Sequence, residues 1–166
     1  TVYGVNDTLT DWKGQLRHGI FRLAGGYALD ETTDVVLAAN ASTILATFPR
    51  AQWEEAGLTQ TGAFATLSAE GQQVAQHRLF LERFKDLQFV ADPEIELTLE
   101  AGTLTLTATT FVWGVALDVD GERPLADNCF DLLPNQPYTI PWAEELGEPT
   151  VISTGNKMMT LGGICA

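Results

Sequence analysis

Carboxylates are the commonest reactive groups in this sequence, 22 against nine lysines and arginines. Two of them hydrolyse a glycosidic bond when they stand about 5–5.5 Å apart for retention, or farther apart for inversion. Glu94, Glu96 and Glu100 fall close together, but they alternate with apolar residues. That spacing predicts one solvated strand face, with nothing nearby to raise the pKa of one acid above another. His18 and His77 are the only histidines, and neither has a cysteine, histidine or glutamate at ligand spacing. Zinc needs three or four clustered donors. Asp118-Val119-Asp120-Gly121 starts like a calcium loop, which needs glycine at its sixth position and glutamate at its twelfth. Here glycine comes fourth and Cys129 twelfth, so an Asp-Gly hairpin turn is the expectation. Neither a G-x-S-x-G elbow nor a phosphate-binding loop occurs. The sequence therefore predicts no catalytic residue, no cofactor and no metal ligand.

Aromatic side chains are the better candidates for contact with a ligand. Trp12, Trp53, Trp113 and Trp142, with Tyr27 and Tyr138, offer faces that suit the apolar side of a pyranose ring. Trp142, Tyr138 and Trp113 carry the expectation of carbohydrate contact. Packing competes with it: Trp113 lies in a strict alternation that points it at a core. Trp142 follows Pro141 beside an acidic stretch, and both roles stay open for it.

The elements that would position these residues are strands. Glu94 to Glu100 and Thr103 to Thr107 alternate on either side of Ala101-Gly102, the pattern of a hairpin with one buried face. Ile95, Leu97, Leu99, Leu104 and Leu106 would face the core. Phe111, Trp113, Val115, Leu117 and Val119 predict the next strand, closed by Asp120-Gly121. Cys129 to Leu133 is a further apolar strand pattern, ended at Pro134, and Tyr138 to Ile140 resumes it. In the first half, Gln15 to Leu23, Asp34 to Leu37, Thr43 to Phe48, Ala63 to Leu67 and Val74 to Phe84 read as strands. Gly25-Gly26, Asn40-Ala41-Ser42 and Glu70-Gly71 supply the turns, and Ala51 to Gly57 supplies one helical turn. Strands roughly 10–15 residues apart indicate antiparallel β-sandwiches. Turn-like residues from Lys85 to Pro93 place a boundary, giving modules at residues 1–88 and 89–166. Lys157 to Ala166 is expected to be a terminal strand or a tail.

Composition excludes some partners. The formal charge of −13 repels phosphate backbones and anionic lipid, so neither nucleic acid nor membrane is an expected partner. No apolar run approaches the roughly 20 residues that span a bilayer. The sequence opens Thr1-Val2-Tyr3-Gly4 with no signal peptide, as a mature product or excised fragment would. A soluble protein, cytoplasmic or secreted, is expected. Cys129 and Cys165 match no zinc or redox spacing and are read as free thiols. Asn6-Asp7-Thr8 and Asn40-Ala41-Ser42 fit the glycosylation sequon.

Two stretches carry a family resemblance. Tyr3-Gly4-Val5-Asn6-Asp7-Thr8, then Asp11-Trp12-Lys13-Gly14 and a strand, resembles the lead-in to the first immunoglobulin-like module that follows the barrel in β-mannosidases of glycoside hydrolase family 2. Asp127-Asn128-Cys129-Phe130-Asp131-Leu132-Leu133-Pro134 resembles a segment of the last module of those enzymes. Cys129 stands where an aromatic is common, and Asn135 where glycine is common. The likeness runs from about residue 3 to about residue 142, and the tail from Thr154 matches nothing. It implies an all-β chain of two tandem antiparallel immunoglobulin-like β-sandwich modules. It also implies a role as the ancillary C-terminal part of an exo-glycosidase acting on terminal β-mannosides. The partner so implied is the catalytic barrel of the same polypeptide, with oligosaccharide as a second. A barrel takes about 200 residues or more, so the family's catalytic glutamates have no counterpart here. A free-standing carbohydrate-binding module and an immunoglobulin-type interaction module are the alternatives.

Overall fold

The computed structural model describes residues 1–157. The tail expected over Lys157 to Ala166, Cys165 included, lies outside that range except for Lys157. The chain divides into two compact units. One holds Thr1–Phe21 and Tyr27–Leu87, and the other holds Arg22–Gly26 and Gln88–Ala166. Both are antiparallel and built from strands.

In the first unit, β1 (Val2–Asn6) pairs with β4 (Ala41–Ala46) as a two-stranded ribbon. β2 (Trp12–Arg22), β3 (Tyr27–Leu37), β5 (Thr61–Ala69) and β6 (Gln72–Leu79) form a four-stranded sheet in the order β3-β2-β5-β6. β3 is longer than the segment predicted from Asp34, because its first half is exposed edge strand with little apolar alternation to betray it. The helix α1 (Arg50–Ala56) ends at Gly57, as the sequence predicts, and buries Trp53 against Ile20 and Ala63.

In the second unit, β7 (Ile95–Glu100) and β8 (Thr103–Ala108) form the predicted hairpin, with Glu100 opposite Thr103. Ala101 and Gly102 take φ of 47° and 75°. Two positive φ values in a two-residue loop match the twist of the flanking strands, and glycine adopts them without a Cβ penalty. β11 (Tyr138–Pro141) adds to β8 on its other side. β9 (Val112–Val115) and β10 (Phe130–Leu132) make the facing ribbon. Leu104, Leu106, Val112, Val115, Leu117 and Leu132 are almost wholly excluded from water, and with Phe130, Ile140 and Trp142 they form one core.

Four strand expectations need correction. The strand predicted over Phe111–Val119 is confined to Val112–Val115. Gly114, at φ 58°, breaks the alternation, and Val119 emerges 61 % exposed. The connection from β9 to β10 therefore spans 116–129, where a tight Asp-Gly hairpin was expected. Cys129 is not a buried strand residue: it is exposed at φ 62°, just before β10 starts. Leu99 is 45 % exposed at the tip of an edge strand, past the reach of the core.

Candidate functional site

The two sequence motifs turn out to be backbone clips. In the first, Asn6 is 5 % exposed at the end of β1. Its amide nitrogen donates to the carbonyls of Thr10, Leu37 and Ala38, at 2.9–3.2 Å. Its Oδ1 accepts the Thr8 backbone N–H at 3.1 Å. Asp11 Oδ1 takes the Ala39 N–H, and the Asn40 N–H reaches the Thr8 carbonyl. Two loops that carry no ladder hydrogen bonds are thereby satisfied against each other, as backbone groups leaving water must be. Asn6 is thus buried and fully engaged, a poor glycan acceptor, whereas Asn40 is exposed. Gly14 completes the motif by close approach. A Cβ there would lie 2.3 Å from the Ser68 carbonyl oxygen and 2.3 Å from the Trp12 ring.

The second motif works the same way around β9 and β10. Asn128 Oδ1 accepts the Leu117 N–H at 2.9 Å, and its amide nitrogen donates to the Asp118 carbonyl. Asp131 Oδ1 accepts the Gly114 N–H at 2.9 Å. Asp127 accepts the Tyr138 hydroxyl. Phe130, Leu132 and Leu133 fill the core between these polar residues. Asn135, at φ 55°, takes the left-handed turn that glycine would otherwise occupy, and its N–H bonds the Ala108 carbonyl. Asp118 closes the long loop, its carboxylate accepting the N–H groups of Arg123 and Asp120. Those bonds, Arg123 first, hold its carboxyl below the usual carboxylate range.

The aromatic candidates are not gathered into one site. Trp142 is 3 % exposed and belongs to the core, its indole N–H bonded to the Gly147 carbonyl at 2.8 Å. Of the two roles open for that residue, its burial and this bond support packing. Tyr138 is half-buried and stacks on Phe130, centroids 4.3 Å apart and planes within 9°. Burial, then the Asp127 carboxylate that accepts its hydroxyl, pushes the Tyr138 phenol far above its ordinary pKa. Trp113 is half-buried, stacked against Phe89 at 6.1 Å. A Cβ on Gly155 would fall 2.4 Å from its ring. Glu94, Glu96 and Glu100 are exposed, as their alternation implies. Among the described residues no group of three or more histidine, cysteine or acidic side chains is placed to hold a metal ion.

One concavity stands out, and composition and motifs give no sign of it. It is a groove of about 530 Å³ within the first unit. Its floor is the inner face of β5 and β6, where Ala63, Ala65 and Leu67 stand opposite Leu79, His77 and Ala75. Register, rather than residue type, assembles that surface. Among the described residues no helix is long and apolar enough to cross a membrane.

Fold and motifs together define a chain of two tandem immunoglobulin-like β-sandwich modules of the mannosidase type. The mannosidase Ig/CBM-like domain model matches residues 1–86, and an Ig-fold domain model of the mannosidase group matches residues 90–151. The chain belongs to the mannosidase Ig/CBM-like family. Among solved structures it is similar to a β-D-mannosidase from Dictyoglomus thermophilum, with a TM-score of 0.71 at 21 % identity. The match covers 95 % of this chain and 19 % of the mannosidase, so the likeness is one of fold over about a fifth of that protein. A comparison with curated protein sequences found no match.

Proposed function

We propose that this chain is the ancillary C-terminal part of a family 2 exo-glycosidase that removes terminal β-mannosyl residues with retention. The two modules would serve as a scaffold, or as part of the pocket rim, for a catalytic barrel in the same polypeptide. The observation that carries this reading is the order of the family matches, residues 1–86 and then 90–151, in a chain that spans a fifth of a β-D-mannosidase. The motif residues agree with it, because their polar groups are engaged in holding loops. A retaining glycosidase supplies two carboxylates from a rigid frame, and on this reading the barrel supplies both.

The test is turnover of an aryl β-mannoside by the purified chain and by the full-length parent. Hydrolysis by the parent and none by the 166-residue chain is expected. Hydrolysis by the chain alone overturns the ancillary role. A parent gene that encodes no barrel overturns the glycosidase reading. A glycan array with the isolated chain separates the scaffold from a sugar-binding module, since only the latter retains a mannan or oligosaccharide.

A further inference from the structure

Two triplets in the first unit carry the acceptor signal for N-linked glycan, Asn6-Asp7-Thr8 and Asn40-Ala41-Ser42. The chemistry asks the same of both. A transferase joins the asparagine Nδ2 to the anomeric carbon of an oligosaccharide. The bond from that carbon to a lipid pyrophosphate breaks, and the amide gives one proton to the enzyme. The product amide keeps a single N–H and carries a bulky, hydrated group. A side chain holds that product in the folded state only where its nitrogen faces water and its hydrogen bonds are dispensable.

The fold treats the two triplets oppositely, although they meet at one end of the β1–β4 ribbon. There Asn6 pairs with Ala41, and the Asn40 N–H bonds the Thr8 carbonyl. Asn6 is 5 % exposed, and its Nδ2 donates to the carbonyls of Thr10, Leu37 and Ala38. A glycosylated Nδ2 has one N–H for those three carbonyls and must place a sugar where they stand. The Thr8 hydroxyl, the other half of that signal, lies between Asn6 Oδ1 and the Thr10 carbonyl, at 2.8 and 2.9 Å. Asn40, by contrast, is exposed in the turn between β3 and β4, and Ser42 is exposed two residues on. Among the described residues neither of these side chains makes a hydrogen bond. The φ of 48° at Asn40 is a left-handed turn, which asparagine tolerates.

We propose that Asn40 is the N-glycan acceptor of this chain and that the fold closes Asn6 to the same chemistry. The donor is an oligosaccharide on a lipid pyrophosphate, the lipid pyrophosphate leaves, and no hydrogen bond of the fold is lost. Engagement in the clip, rather than the triplet itself, sets the two asparagines apart. A glycan at Asn40 stands on the β3–β4 turn, so in a glycosylated parent that end of the first unit faces solvent. Neither the site nor the donor depends on the proposed function.

The experiment expresses the 166-residue chain behind a signal peptide in a eukaryotic cell, which brings it to the transferase and the lipid-linked donor. Peptide-N-glycosidase in heavy-oxygen water turns each linked asparagine into labelled aspartate. Peptide mass spectrometry then reads both triplets in soluble protein from cells and medium. Label on Asn40 in most copies, with Asn6 unlabelled, is expected. Ser42→Ala should abolish the label and Ser42→Thr should keep or raise it. Both variants should leave the urea midpoint of the chain unchanged, because Ser42 is exposed and unbonded. Label on Asn6 confined to insoluble protein marks chains whose clip did not form, and supports the proposal. An unlabelled Asn40, equal label on the two asparagines in soluble protein, or label that survives Ser42→Ala overturns it. Turnover of aryl β-mannoside by the full-length parent is a separate readout, so the proposed function stands or falls apart from this one.

Discussion

The two modules share a motif logic but differ in closure. In the second, three strands face two and the core is continuous, from Leu104 and Leu106 through Val115 and Phe130 to Trp142. In the first, four strands face two, and the inner face at β6 stays wet. The faces differ in residue type as well: three alanines and His77 stand with two leucines on β5 and β6, against leucine, valine, isoleucine and aromatic side chains in the second core. Coverage by a facing layer and the size of the side chains that meet it together set the buried area, and with it stability.

The largest expected effect comes from the closed module. Leu106 is wholly buried on β8. Leu106→Ala should cost about 2–5 kcal/mol, the transfer term plus the cavity left behind. Urea unfolding followed by tryptophan fluorescence would read it. A loss below about 1 kcal/mol would mean that the core collapses around the deletion, and that the second module is packed less tightly than its burial implies.

A step smaller is the removal of a clip. Asn6→Ala leaves the Leu37 and Ala38 carbonyls and the Thr8 N–H without their partner. Groups left unsatisfied in this way cost about 1–3 kcal/mol. Asn156→Ala is the matching change in the second unit, where Asn156 takes the Trp113 N–H and donates to the Val90 and Phe111 carbonyls. Similar losses for the two would show that loop clipping is independent of core closure. A much smaller loss at Asn6 would mean water replaces its bonds in the more open module.

Acid should reveal a still smaller term in the second unit. The Asp118 carboxyl is held below its ordinary value, which is near 3.9 in an unfolded chain. A depressed folded pKa means that the charged form stabilises the fold above about pH 4, and that this contribution fades as pH falls through the lower folded value. Asp118→Asn should therefore narrow the stability difference between pH 5 and pH 2.5 in urea titrations. An unchanged difference would remove Asp118 from the pH response.

Much of this was legible in the residues. The β7–β8 hairpin follows from period-2 alternation around Ala101-Gly102, because one buried face leaves that signature whatever packs on it. Val112–Val115 was overextended because Leu117 and Val119 keep the alternation going after Gly114 has turned the chain. Trp142 kept two readings open because burial depends on partners distant in sequence, here the Gly147 carbonyl and the β8 core. The groove was invisible for the same reason. Ala75, His77 and Leu79 form no recognisable pattern until the register places them beside Ala65 and Leu67.

The smallest effect is the sharpest probe of the comparison. Leu79→Ala removes the same atoms as Leu106→Ala, yet Leu79 is already 53 % exposed and Leu106 is fully buried. In the 166-residue chain the change should cost about 0.5 kcal/mol or less, as at other exposed sites. In the full-length parent of the proposed function, cover of Leu79 by another part of the polypeptide would raise the cost toward the range of a buried leucine, since the deletion would then leave a cavity. Equal small costs in both would mean that the first module stays open in its parent. A large cost already in the isolated chain would mean that the groove closes by itself, and that the contrast between the modules is one of degree. Measuring this one pair of residues in the two forms separates composition from coverage, since only the facing layer changes.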